Sequence, residues 1–314
     1  MDSRNAKESS WPASPAREVW YGYVGDELRV LWYQYVLLSM GNTREARVWA
    51  GYNELDGESK FVSQGFGTGA VTATDQPFSL DIAGNELTGR SANGSLDDIG
   101  WDLTWGGDDV TFTPLRSQRL TRAVDWFSRT GRHASVNGAV RVNGMVTVNG
   151  KEQEFTNAAG NQGHVVGALP TEWRWVQCGA FPDPTVSIEA LSIGGRLSIC
   201  FRHDGQVYLL NRIQHIVGPC ANVTEYDRPG HWSFRATGDG VRLSVMVRAD
   251  PDQWQRLCYR TPDGKRYNAH CSLSTVRLKY THDNQTRTIE SSGGRAEWIG
   301  IEPPIDGEYQ AVDE

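Results

Sequence analysis

The stretch Gly160–Phe181, GNQGHVVGALPTEWRWVQCGAF, decides how the chain is read. Trp173, Trp175 and Gln177 alternate with Arg174 and Val176. A period of two is the signature of a β-strand whose two faces differ. Here one face carries two indoles and an amide. A buried Gln must find hydrogen-bond partners or face a wet cavity. Two readings follow: the three side chains fill an ordinary β core, or they line a ligand pocket.

Strand signals continue on both sides of this stretch. EVWYGYV (18–24) and LRVLWYQYVLL (28–38) are aromatic and β-branched runs separated by Gly25-Asp26, which predicts a hairpin. REARVWAGYNEL (44–55) predicts another strand, and IGWDLTW (99–105) sets Trp101, Leu103 and Trp105 on one face. Asp-Gly and Asn-Gly pairs are frequent, and they supply the positive φ of two-residue hairpin turns. VNGAVRVNGMVTVNGKEQEF (136–155) holds three Asn-Gly pairs. Strands of four residues between turns would be too short to help. Asn149-Gly150 is therefore expected to be the hairpin, with the pairs at 137 and 143 at bends or bulges. Further hairpins are predicted on Asp204-Gly205, Asp239-Gly240 and Asp283-Asn284. Only residues 117–132 show helical spacing, with Leu120, Val124 and Phe127 as the stripe.

The expected class is all-β: two antiparallel β domains, sandwich or barrel. The expected division is a disordered tail (1–15), an N-terminal β domain (16–135), a C-terminal β-barrel domain (136–302) and a frayed acidic tail (303–314). The 314 residues, 39% apolar with 34 Gly and 12 Trp, suffice for two β domains with cores.

Composition also excludes partners. A net charge of −7 without a basic run speaks against nucleic acid. The polar N-terminus has no apolar leader, and no apolar run is long enough to span a bilayer, so a cytoplasmic location is expected. Five widely spaced Cys predict no disulfide framework. Cys200-x-x-His203 and His270-Cys271 lack the spacing of a zinc site. Neither Cys178 nor Cys271 has a local base to activate it. No dinucleotide loop, phosphate loop or nucleophile elbow is present.

The stretch HVVGALPTEWRWVQCGAF (164–181) resembles the central motif of the tocopherol cyclase family, which reads Phe-Pro-x-x-Trp-x-Trp-x-Gln-Cys-Asn-x-Phe after an acidic residue and Lys/His-Asn-Trp-Gly. Gly167, Pro170, Trp173, Trp175, Gln177, Cys178 and Phe181 match it. DIGWDLTW (98–105), SICFRHDGQVYLLN (198–211), HWSF (231–234) and SGGRAEWIG (292–300) are similar to other segments of the family and of its wider group, which includes carotenoid hydratases and fungal Diels–Alderases. The sequence departs from the pattern where the family has its acid, at Gly163, and also at Val165, Val166 and Gly179.

The resemblance implies a two-domain lipocalin-like β fold with a hydrophobic cavity. It also implies an enzyme that cyclises or isomerises a prenylated or polyene small molecule, by a proton or by a pericyclic route, without metal or cofactor. His164, at the Lys/His position, and Glu297 are then the candidate catalytic residues, with Asp98 and Asp102 as possible substitute acids. Trp173, Trp175, Gln177, Trp101, Trp105 and Trp232 are the candidate substrate-binding residues. Uptake of such a substrate leaves room for transient membrane contact. The alternative is a non-catalytic carrier of an apolar small molecule. The oligomeric state is left open.

Overall fold

The computed structural model describes residues 5–9, 11–13, 16–108, 110–117 and 131–313, and it is almost entirely antiparallel β-sheet. The helical stripe expected at 117–132 falls mostly outside the described residues.

In the N-terminal half, β1 (Ala16–Gly25), β2 (Arg29–Met40), β3 (Thr43–Glu54) and β4 (Ser59–Gly67) form a meander. A second meander comprises β5 (Val71–Asp75), β6 (Phe78–Ile82), β7 (Asn85–Thr88), β8 (Ser91–Leu96) and β9 (Ile99–Trp105). The long hairpin of β10 (Arg132–Val148) and β11 (Lys151–Val166) joins them, giving the order β4-β3-β2-β1-β11-β10-β9-β8-β7-β6-β5. The hairpin turns at Asn149-Gly150, both at positive φ, and its register slips around Asn137 and again before Gly144. The earlier Asn-Gly pairs are thus bulges, which bend a strand too long to stay flat. The sheet rolls around a core shared by Trp20, Tyr33, Leu80, Leu103 and Val146.

The second sheet holds β12 (Glu172–Cys178), β13 (Ser187–Ile193), β14 (Arg196–His203), β15 (Gln206–Leu210), β16 (Val223–Arg228), β17 (His231–Gly238) and β18 (Val241–Arg248). It is completed by β19 (Trp254–Thr261), β20 (Gly264–His282), β21 (Gln285–Gly300) and β22 (Gln310–Ala311). Its main path runs β15-β14-β13-β12-β21-β20-β18-β17-β16. The turns fall at Asp204-Gly205, Asp239-Gly240 and Asp283-Asn284, as the dipeptides predict. Val176, Phe201, Leu210, Trp232 and Leu278 meet in one cluster, so this barrel is filled by its own side chains.

Three expectations are corrected. The change of sheet falls between Val166 and Glu172, well past residue 135, because β11 pairs with both β1 and β10. The described residues of the N-terminal segment are packed: Trp11 joins the N-terminal core, its indole donating to Leu38 O (3.0 Å), and Asn5 O accepts from the Trp20 indole (2.9 Å). The C-terminal segment is not frayed either. Its strand β22 runs parallel to β19, and Val312 O accepts from Arg47 (2.8 Å) and Ser63 (2.7 Å) of the N-terminal domain. No helix among the described residues is long and apolar enough to cross a membrane.

Candidate active site at the domain seam

Strand β1 and the 159–166 half of β11 are buried on both faces, because one face looks into the N-terminal core and the other at the second domain. Alternation sorts their residues. Glu18, Trp20 and His164 share the inner face, and His164 stands opposite Trp20 in the register. Arg17, Val19, Tyr21, Tyr23, Gly163 and Val165 share the seam face, joined by His133 and Ser135 of β10.

The second domain presents matching rungs. Trp175 lies between Leu191 of β13 and Glu297 of β21, and Trp173 lies between Ile193 and Ile299. Between the two walls is a cavity with room for the centre of a water-sized sphere over about 110 Å³. That would hold on the order of eight waters. Val19, Val165, Leu191, Ile193 and Trp173 give it an apolar lining, and Arg17, Tyr21, His133 and Glu297 supply polar groups. The hydrophobic cavity therefore lies between the domains.

A hydrogen-bond chain crosses one end of this seam. The Tyr21 hydroxyl lies 2.7 Å from His133 Nε2 and 3.2 Å from Ser135 Oγ. Ser135 Oγ donates a short bond to Glu189 Oε1, which also accepts from the Trp175 indole (3.0 Å). Glu189 is 3% exposed, and its Oε2 has no hydrogen-bond partner among the described residues. Burial pushes the Glu189 carboxyl up to about 7, against the lowering effect of its Ser135 and Trp175 donors. Burial pushes His133 down to about 4, so the imidazole is neutral at neutral pH. The Tyr21 phenol is held well above its ordinary value, first by burial and then by the Glu189 charge, and it stays an O–H donor. The chain therefore links a carboxyl that is about half protonated near pH 7 to a hydroxyl on the cavity wall.

The structure brings together some of the residues singled out in the sequence and separates others. Trp173, Trp175 and Glu297 line the cavity. Glu297 Oε1 accepts from Asn268 (3.2 Å) and lies 3.0 Å from His270 Nδ1. Gln177 is fully buried on the seam, accepting from the Tyr23 hydroxyl and donating to Gly138 O (3.1 Å), so it ties the domains together. His164 faces away from the cavity. It stacks on Trp20 (centroids 4.7 Å) and lies 2.9 Å from Glu18 Oε1, on the opposite sheet face. Burial alone would raise the Glu18 carboxyl, but His164 and the Glu8 and Ser9 donors outweigh it and hold it low. Trp101 and Trp105 pack in the N-terminal core and Trp232 in the barrel core. Asp98 pairs with Lys60 on an exposed hairpin and Asp102 is exposed. Burial pushes Cys178 up to about 11 and Cys271 up to about 12, so neither is a ready thiolate.

Position 163, where the tocopherol cyclase pattern carries an acid, leaves no room for a side chain. A Cβ there would come within 2.2 Å of the Tyr21 ring. Gly163 is paired with Tyr21 on one side and Ser135 on the other. The space beside Gly163 is thus filled by the hydroxyl chain that leads to Glu189.

No protein-family profile matches this chain, and no curated protein matches it. Solved structures do share its fold. A protein of Nitrosomonas europaea, provisionally described as AttH, is 12% identical with a TM-score of 0.57, over 94% of this chain and 98% of that one. CghA bound to Sch210972 is 12% identical with a TM-score of 0.58, over 92% and 89%. Kievitone hydratase from Nectria haematococca is 12% identical with a TM-score of 0.54, over 90% and 88%. The chain has the two-domain lipocalin-like β fold of these proteins.

Proposed function

We propose that the protein is a cyclase- or isomerase-type enzyme that folds a hydrophobic prenylated or polyene molecule in the seam cavity and starts its reaction with a proton. The observation that carries this reading is the Glu189–Ser135–Tyr21 chain, which connects a carboxyl titrating near 7 to an aromatic, apolar cavity. A general acid works best when its pKa lies near the working pH.

In a tocopherol cyclase-like reaction, the Tyr21 hydroxyl gives its proton to a substrate alkene and is reprotonated by Ser135, which takes the proton of Glu189. The neighbouring carbon becomes cationic, faced by the Trp173 and Trp175 rings. A substrate hydroxyl then closes the C–O bond and releases its own proton, for which Glu297 is the carboxylate on the cavity wall. The substrate gains one proton and loses one, while Glu189 ends one proton short and Glu297 one proton over, and exchange with solvent resets both carboxyls before the next turnover. Holding the chain folded removes much of the entropic barrier.

The structural neighbours support this reading at the level of fold, since one is named a hydratase and another holds a small molecule. The test is incubation with a prenylated hydroquinone in D2O. Ring closure with one deuterium at the former alkene carbon supports the proposal. Closure without deuterium makes the route pericyclic. Binding without conversion makes the protein a carrier.

A further inference from the structure

The Arg17 guanidinium is a buried cation on the cavity wall with no hydrogen bond or ion pair to any described residue. Arg17 is 5% exposed and lines the cavity, and its guanidinium lies over the Tyr259 ring (4.6 Å) with Trp49 beyond (5.9 Å). Its charged neighbours are engaged elsewhere. Glu297 accepts from Asn268 and meets His270, and Asp313 accepts from the Arg260 amide (2.6 Å). Arg266, which faces it as a second cation, donates to Pro170 O and Leu169 O (both 3.0 Å). A guanidinium cannot lose its proton to escape burial, and its five N–H donors match a two-oxygen acceptor.

We propose that the substrate of this cavity carries an anionic oxygen head group, a carboxylate or an enolate, that docks on Arg17. This rests on the reading of the cavity as a site for an apolar small molecule. Arg17 and Tyr21 lie on one face of β1, four residues apart, which is roughly 13 Å along a strand. Val19 and Val165 line the cavity between them. The substrate is therefore an amphiphile, with its acid end at Arg17, its apolar body across the valines and its reacting double bond at Tyr21. Tyr259, stacked on Arg17, holds the guanidinium in place.

The test compares decanoate with decanol by calorimetric titration of the full chain, in wild type and in Arg17→Gln. Decanoate is expected to bind wild type roughly tenfold to a hundredfold more tightly than decanol. Arg17→Gln is expected to erase that preference, and Arg17→Lys to keep part of it. Equal wild-type affinities would overturn the head-group proposal and leave the apolar cavity standing, and the comparison needs no variant to fold. A preference that survives in folded Arg17→Gln would also overturn it. If neither ligand binds, the cavity reading falls and this inference falls with it.

Discussion

Two histidine–glutamate sites flank the sheet of β1, β10 and β11, one on each face, the second completed by Glu189 from β13, and their fates differ. On the inner face, His164 meets Glu18 directly, stacked on Trp20 and covered by the segment carrying Glu8 and Ser9. Every group there has a partner, and the carboxyl is held low. On the seam face, His133 and Glu189 are kept apart by two hydroxyls, and each retains an atom without a hydrogen-bond partner among the described residues, Nδ1 and Oε2. Burial dominates there, so the carboxyl goes up and the imidazole goes down. The same residue types make a structural hydrogen-bonded pair when they touch and are sealed. When they are separated beside a cavity, burial drives each toward its neutral form.

The largest effect that could break this contrast is expected from Glu189→Gln. Turnover should fall roughly a hundredfold to ten-thousandfold, and the decline of wild-type activity as pH rises through about 7 should vanish. The sign for stability is opposite. The folded-state pKa of Glu189 is raised, so its contribution is full below the ordinary carboxyl range and is lost as pH rises through about 7. At pH 8 the Gln variant should therefore be more stable, by on the order of 3 kcal/mol in urea titrations. A variant that is both inactive and less stable at pH 8 would contradict this role of Glu189. His133 has a depressed pKa and acts the other way, losing stability as pH falls from 6.5 through about 4.

His164→Ala should cost about 3–5 kcal/mol of stability by leaving the Glu18 carboxylate buried without its partner. Turnover per folded molecule should be unchanged. Loss of rate in a fully folded sample would move the proton donor back to the inner face. Gly163→Ala comes next. Its Cβ must push the Tyr21 ring aside, at about 1–3 kcal/mol, and slow the reaction by disturbing the hydroxyl chain, which thermal melts and initial rates would reveal. Trp175→Phe should give the smallest change, about 1 kcal/mol from one lost hydrogen bond. Because that N–H lowers the Glu189 pKa, the alkaline limb of the pH–rate profile should shift upward. An acid-ward shift would remove Trp175 from the network.

Much of the fold was legible because its signals are local. Asn149, Asp204, Asp239 and Asp283 adopt the positive φ their dipeptides advertise, and each turns a hairpin. The domain border was not legible, because β11 takes one partner from the far N-terminus and no local pattern records that. The same division runs through the site. Trp173 and Trp175 were legible from alternation on one strand, and Glu297 sits directly across the sheet from Trp175. Tyr21, His133, Ser135 and Glu189 arrive from three distant strands. The sequence held one hint: SIEALSI (187–193) sets a Glu on the same face as Leu191 and Ile193, in an otherwise apolar strand. His164 was misleading because Gly163 and Val165, its neighbours, do face the seam, and one residue of offset reverses the face.

The close fit of Tyr21 on Gly163 has a consequence for anyone redesigning this protein. A scan that changes one position at a time would score both sites as intolerant, since any side chain at 163 meets the phenol ring and any loss at 21 cuts the hydroxyl chain. Yet a small residue at 21 combined with a carboxylate at 163 would fit the same volume. The two positions behave as one letter of the design alphabet, and a library that varies them jointly can reach variants that no sequence of single steps passes through without losing function.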